Sequence, residues 1–303
     1  MYFVGVTTHQ SSINRVFPKW TKDLGVDVAL RGMNFKVHDD PKSYRRAVEF
    51  IKNDPLSLGA LVTTHKLDVL SASIDLFDEL DEFAQVTQEV SSISKVDGKL
   101  VGHAKDPITC GRALSAFLPD NYWQETGAEA LILGAGGSSV AMTWQLTQPS
   151  HGQNRPSRII VTNRSVPRLD SMRQLHQQIK TDVEMNLVHT PNPKLADDLL
   201  SNLAPGSLVI NATGLGKDAP GSPLTDAGDW PQDAIAWDFN YRGDLIFLDQ
   251  ARSQREAKNL QIEDGWIYFI HGWTSVMAEV LHVDIPSSGP QFDKLSQIAA
   301  DVR

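Results

Sequence analysis

The sequence predicts an α/β fold in two domains, the second built on a doubly wound parallel sheet. Three observations lead there. Short apolar runs alternate with segments of helical periodicity along most of the chain, the pattern of parallel strands joined by crossover helices. From residue 130 onward such runs recur at regular intervals. The first of them passes straight into a glycine-rich turn, Gly134-Ala135-Gly136-Gly137.

Taken in order, residues 2–6 read as a strand, 18–24 as helical and 27–34 as extended. A helix is predicted over 41–53, where Tyr44, Ala47, Val48 and Ile51 share one face. An apolar strand over 58–62 ends in the polar run Thr63-Thr64-His65-Lys66, and helical periodicity returns over 69–84. In the second half, 130–133 is a strand and 140–146 a helix. Strands follow at 158–162, 183–188, 208–211 and 234–239, then a helix over 245–258. After Gly265 the chain turns helical through 274–281 and ends in a short amphipathic helix over 291–302. The predicted boundaries are 1–108 for a first α/β domain, 109–268 for the doubly wound domain, and 269–303 for helices that pack back on the first.

Composition narrows the function. At 303 residues, with 41% hydrophobic and 21% charged residues, the chain can bury a substantial core. A net charge of −9 argues against nucleic acid, which needs a concentrated positive face. The one cysteine, Cys110, excludes an intramolecular disulfide and a cysteine-based zinc site and suits a reducing compartment. Nine histidines include His9, His65, His103 and His271, but no pair has the spacing of a helical zinc motif, so no metal is expected. There is no basic segment followed by an apolar run at the start, and no uncharged stretch near the ~20 residues a membrane helix requires. A soluble cytoplasmic protein is expected, with a homodimer as the one assembly allowed for.

The glycine-rich turn carries chemistry because of where it stands. Gly134 suits a tight turn, Gly136 lets backbone approach a pyrophosphate, and the helix that follows presents free N–H groups and a favourable dipole. A strand before and a helix after are the context that makes such a turn a Rossmann-type dinucleotide site. The next strand ends in Val161-Thr162-Asn163-Arg164-Ser165, with Arg168 one turn on. A site for NAD ends this strand in a carboxylate for the ribose 2′-hydroxyl. None stands here, and Arg164 suits a 2′-phosphate through planar charged hydrogen bonds. NADP is therefore the expected cofactor, with NAD as the alternative.

With these motifs in order, the chain resembles the shikimate/quinate dehydrogenase family. The Gly-Ala-Gly-Gly turn is similar to the family's, and Asn163-Arg164-Ser165 to its Asn-Arg-Thr strand end. Asn211-Ala212-Thr213-Gly214 resembles the segment near the nicotinamide, and Asp238-Phe239-Asn240-Tyr241 an Asp-x-x-Tyr segment. The resemblance implies a cofactor site of Gly134, Ala135, Gly136, Gly137, Ser138, Asn163, Arg164, Ser165, Arg168, Asn211, Ala212, Thr213, Gly214 and Asp238. It also implies a catalytic pair in the first domain: Lys66 after a Val-Thr strand end, and Asp106 in Gly102-His103-Ala104-Lys105-Asp106. Hydride transfer at a carbinol carbon needs a proton moved at its oxygen, which a lysine can do. Ser11, Ser12, Thr63, Ser94, Tyr241 and His271 are the implied substrate contacts. The implied activity is reversible NADP-dependent oxidation of a small cyclic hydroxy acid.

The substrate half departs from the family. Ile13 stands where a second serine is expected, and Ser91-Ser92-Ile93-Ser94-Lys95 replaces a Gly-Ala-Val-Asn-Thr segment. Ala104-Lys105-Asp106 replaces Asn-Thr-Asp, and Ile270-His271 replaces a glutamine region. Sites built to bond hydroxyls are highly selective, so these changes predict a substrate other than shikimate itself. Two other readings stand beside the dehydrogenase. One is a non-catalytic dinucleotide or metabolite sensor on the same fold. The other is a related two-domain oxidoreductase such as a methylenetetrahydrofolate dehydrogenase, against which the Asp106 segment argues.

Overall fold

The computed structural model describes residues 1–177 and 181–303. The chain divides into two units, Met1–Thr109 with Ile270–Arg303, and Cys110–Phe269.

The first unit begins with β1 (Tyr2–Gly5) and α1 (Ile13–Asp23). This helix starts five residues before the predicted 18 and carries Pro18 inside it. The proline forfeits an intrahelical bond at a cost of roughly 3 kcal/mol. Burial of Ile13, Val16, Phe17 and Trp20, on the order of 1.5–3 kcal/mol each, outweighs it. Then come β2 (Arg31–Asn34), α2 (Pro41–Asn53), β3 (Gly59–Val62) and α3 (Lys66–Ser73). Asp40 caps α2 by accepting the Lys42 amide at 3.0 Å, and Pro41 occupies its first turn. Tyr44, Val48 and Ile51 of its predicted face are buried.

The predicted helix over 69–84 is not continuous. After α3 come a single turn of 3-10 helix (Ile74–Leu76), β4 (Glu79–Leu80) and α4 (Glu82–Thr87). Long-range pairing overrides local periodicity here: the Asp78 amide donates to Leu100 O and the Asp81 amide to Gly102 O, both at 2.9 Å. The Asp81 side chain then caps the new helix at the Ala84 amide, 2.7 Å away. A hairpin follows, β5 (Ser92–Val96) and β6 (Lys99–His103). Its turn residues Asp97 and Gly98 have φ of 50° and 79°, the positive values a two-residue hairpin needs. The sheet order is β2-β1-β3-β5-β6-β4. β1 and β3 are parallel, β5 is antiparallel to both β3 and β6, so β1, β3 and β6 run the same way.

The boundary between units falls within α5 (Asp106–Ser115). The second unit continues with α6 (Tyr122–Thr126), β7 (Ala130–Leu133), α7 (Gly137–Leu146), β8 (Arg158–Asn163), α8 (Val166–His176), β9 (Glu184–His189) and α9 (Pro193–Ser201). It is completed by β10 (Leu208–Asn211), β11 (Ile235–Asp238), α10 (Ile246–Lys258) and β12 (Gln261–Glu263). All six strands are parallel, in the order β12-β11-β10-β7-β8-β9. Every residue of β7, β10 and β11 is buried. Their side chains alternate between two cores: Ala130, Ile132, Ile210 and Trp237 on one face, Leu131, Leu133, Val209 and Ala236 on the other. A parallel strand covered on both faces reads as a continuous apolar run, which is why these were visible in sequence.

The chain leaves this unit within α11 (Trp266–Leu281) and ends in α12 (Pro290–Ala300). From Ile270 on, these helices belong to the first unit. Trp20 of α1, fully buried, donates its indole N–H to Leu295 O at 2.8 Å, and Phe3 of β1 meets Trp273 edge-on at 4.9 Å. No helix among the described residues is long and apolar enough to cross a membrane.

Candidate active site

In the first unit the C-terminal ends of β1, β3 and β6 share one sheet edge, and the candidate residues follow them. The Thr63 amide bonds Val4 O, and Thr64 takes φ of 65° as the chain turns into α3. Lys66 opens that helix and Asp106 opens α5. Although 40 residues apart, their side chains form a direct ion pair that is mostly buried. His65, beside Lys66, is buried with Nδ1 2.9 Å from the Tyr44 hydroxyl. Burial holds its imidazole below the usual histidine range, which favours the neutral form. Ser11 and Ser12, both buried, follow β1 into α1, and Ser11 Oγ accepts the Ile13 amide at 3.4 Å.

Ser94 is placed apart from this edge. It pairs with Gly59 at the start of β3, and its buried hydroxyl lies 2.9 Å from His103 Nε2. Ser91, by contrast, is hydrogen-bonded to the end of β3 and to the residue before Asp106. Its carbonyl accepts the Val62 amide and its hydroxyl accepts the Lys105 amide at 2.7 Å. The Asp97-Gly98 hairpin would have set this register from sequence. His271 is buried in α11 and stacks on Phe292 at 4.5 Å. Sequence reading also missed a network in which His103 lies 3.6 Å from Asp81 and 3.4 Å from Glu279, while Lys105 pairs with Glu279 at 2.6 Å.

In the second unit the strand order reverses between β7 and β10, and ligands of such sheets bind beyond the strand ends at that point. The turn after β7 sits there. Gly134 has φ of +114°, its amide bonds Thr162 O, and a Cβ on it would lie 2.9 Å from Ala212 O. A Cβ on Gly136 would meet nothing within 4 Å, so the backbone at the start of α7 faces open space. The first amides of that ten-residue helix, from Gly137 and Ser138, fit a pyrophosphate there. At the end of β8, Asn163 Oδ1 accepts the Ser165 amide and shapes the turn. Arg164 is exposed, and its guanidinium makes no ion pair among the described residues; Arg168 is half-buried.

Asn211 and Asp238, both fully buried, organise the loop after β10. Asn211 Oδ1 accepts the Thr213 amide and hydroxyl, while its amide group donates to Asp238 Oδ2. Asp238 also accepts the Asn240 amide, and Asn240 donates to the carbonyls of Thr213 and Leu215. Burial pushes the Asp238 carboxyl up to about 7 against the pull of these hydrogen bonds. Asp238 thus sits behind the Thr213-Gly214 loop. Tyr241 packs among the rings of Trp266 and Phe269.

No family model matches the chain. It is 36% identical over 93 residues to the shikimate dehydrogenase (NADP(+)) of Pyrococcus furiosus, a stretch spanning 31% of this chain and 30% of that enzyme. It is 28% identical over 220 residues to that of Streptococcus gordonii, covering 71% of this chain and 70% of the relative. Shikimate 5-dehydrogenase from Thermus thermophilus, solved with NADP(H) and shikimate, superposes with a TM-score of 0.70 at 18% identity, covering 100% of this chain and 98% of that one. The chain is thus similar in sequence to shikimate dehydrogenases over part of its length, spanning 30% and 53% of the first two such relatives. The likeness of fold extends over the whole chain.

Within that fold, the two glycines of the turn are expected to separate stability from binding. Gly134→Ala forces a methyl against Ala212 at a positive φ, strain on the order of 1–3 kcal/mol. At about 2–4 °C per kcal/mol this lowers the unfolding midpoint by several degrees, and dinucleotide affinity falls with it. Gly136→Ala meets no protein atom, so it weakens binding while the midpoint holds. Thermal unfolding and dinucleotide titration of both variants check this; equal midpoints for Gly134→Ala and the unaltered chain would refute it.

Proposed function

We propose that this chain is an NADP-dependent dehydrogenase that oxidises and re-forms the hydroxyl of a small cyclic hydroxy acid, shikimate- or quinate-like. The observation that carries the reading is the buried Lys66–Asp106 ion pair at the shared end of β1, β3 and β6. Burying such a pair costs desolvation that its attraction repays only with good geometry and further hydrogen bonds, so its presence supports a functional role more than a stabilising one. NADP, when bound, supplies the acceptor or donor of hydride. Gly134, Ala135, Gly136, Gly137 and Ser138 hold the pyrophosphate. Asn163, Arg164, Ser165 and Arg168 hold the 2′-phosphate end, and Ala212, Thr213 and Gly214, shaped by Asn211 and Asp238, flank the nicotinamide.

Lys66, in its neutral amine form, takes the hydroxyl proton onto Nζ during oxidation, and as the ammonium returns it during reduction. Asp106 orients the ammonium and accepts a hydrogen bond from a neighbouring hydroxyl. Ser11, Ser12 and Thr63 line the substrate from the strand ends, with Tyr241 and His271 as further contacts. The altered Ser91–Ser92 and Lys105 positions argue for an acid differing from shikimate around its hydroxyls. The proposal extends to a cytoplasmic location and a homodimer, the latter checked by sedimentation.

The deciding experiment follows reduced nicotinamide absorbance with NADP or NAD and a panel of hydroxylated cyclic acids including shikimate and quinate. Turnover of a panel member with NADP in preference to NAD is the expected result. NADP binding with no turnover across the panel would favour a non-catalytic sensor instead.

A further inference from the structure

Glu89 lies between α4 and β5, and the chemistry above makes no use of it. Its side chain is completely buried, and neither carboxyl oxygen has a hydrogen-bond partner among the described residues. An ionised carboxylate in that condition is far costlier to bury than the neutral acid. The backbone ties this segment to the candidate catalytic pair from both sides. The Val90 amide donates to Lys66 O at 3.3 Å, and the Ser91 amide to His103 O, three residues before Asp106, at 2.9 Å. The charges that face Glu89 are Lys66 at the start of α3, Asp106 at the start of α5, and Asp81 before α4, itself next to His103. One ammonium therefore serves a cluster with more carboxyls than it can neutralise.

We infer that Glu89 is a positioning residue for the Lys66–Asp106 pair: a buried carboxylic acid that stays protonated while the pair is charged, and whose ionisation makes Lys66 hold its own proton more tightly. This rests on the role proposed for Lys66. Burial pushes the Glu89 carboxyl up to about 8; the Lys66 ammonium opposes that rise, and Asp106 and Asp81 add to it. At neutral pH Glu89 is then the neutral acid beside Lys66, Asp106 and Asp81. In mild alkali Glu89 becomes a second negative charge beside Lys66, which raises the pH at which Lys66 can act as a base. The folded value lies above the ordinary 4.5, so the folded chain holds an extra proton between the two. The resulting stabilisation is complete below about 4.5 and is lost as pH rises through about 8.

The test compares the full chain with Glu89→Gln. Infrared difference spectra between the two isolate the Glu89 carboxylic acid from other buried acids such as Asp238. The expected band is present at neutral pH and titrates away near 8. The unfolding midpoint of Glu89→Gln gains on the unaltered chain as pH rises from about 6 to about 9. Carbon NMR of isotopically labelled lysine reports Lys66 directly, and its titration moves down by about one pH unit in Glu89→Gln. If that variant does not fold, Lys66→Met serves: with the ammonium gone, the Glu89 acid band persists to higher pH. Absence of an acid band titrating near 8, or a Lys66 titration unmoved by Glu89→Gln, would overturn the inference. Lack of turnover on every substrate, with the band and the Lys66 shift both present, would sink the proposed dehydrogenase and leave the Glu89–Lys66 coupling standing.

Discussion

Lys66→Ala is expected to lower turnover by a factor of about 10²–10⁴, the usual contribution of a positioned acid–base group. NADP affinity should stay within about twofold, because the residues proposed to hold the dinucleotide belong to the second unit. The substitution also strands Asp106, a mostly buried carboxylate, so some loss of stability accompanies it. Asp106→Asn separates the two effects. It keeps the shape, spares the lysine, and lowers turnover less than Lys66→Ala while disturbing its pH profile. Steady-state kinetics alongside unfolding curves make the comparison. Turnover within a factor of three of the unaltered chain in a folded Lys66→Ala variant would remove Lys66 from the mechanism.

Arg164→Ala should weaken NADP by about 10–100-fold, equivalent to a charged hydrogen-bonding contribution of about 1.5–3 kcal/mol, and leave NAD nearly unchanged. The side chain is exposed and makes no ion pair among the described residues, so removing it costs the fold little. Calorimetric titration with both dinucleotides reads the result. A parallel loss for NADP and NAD would place Arg164 on a part common to both. No loss for either would transfer the 2′-phosphate to Arg168, one turn along.

The second unit was largely legible because its strands are buried on both faces and announce themselves as apolar runs. The glycine turn adds a stereochemical signal that few other structures require. The first unit was read less well. Its helix over 69–84 is broken because residues 78–81 bond to β6, whose paired residues lie 22 positions along the chain, a partner that local periodicity does not reveal. The β5–β6 hairpin carries an Asp-Gly signal, and without it the register of Ser91, Ser94 and His103 stayed hidden. Ser94 and Ser91 look equivalent in sequence; only pairing decides that one hydroxyl faces the His103 ring while the other accepts the Lys105 amide beside Asp106.

What the sequence determined by itself was therefore whatever depends on short-range physics: alternation of apolar runs, the turn that only glycine tolerates, the basic residue where an acid would select NAD, and the order of these along the chain. Tertiary structure alone decided which charges meet. Lys66 and Asp106 become an ion pair, and Glu89 becomes a buried acid beside them with no hydrogen-bond partner among the described residues, because distant segments converge. Burial and neighbouring charge are properties of that convergence, and they set what each of these side chains can do with a proton.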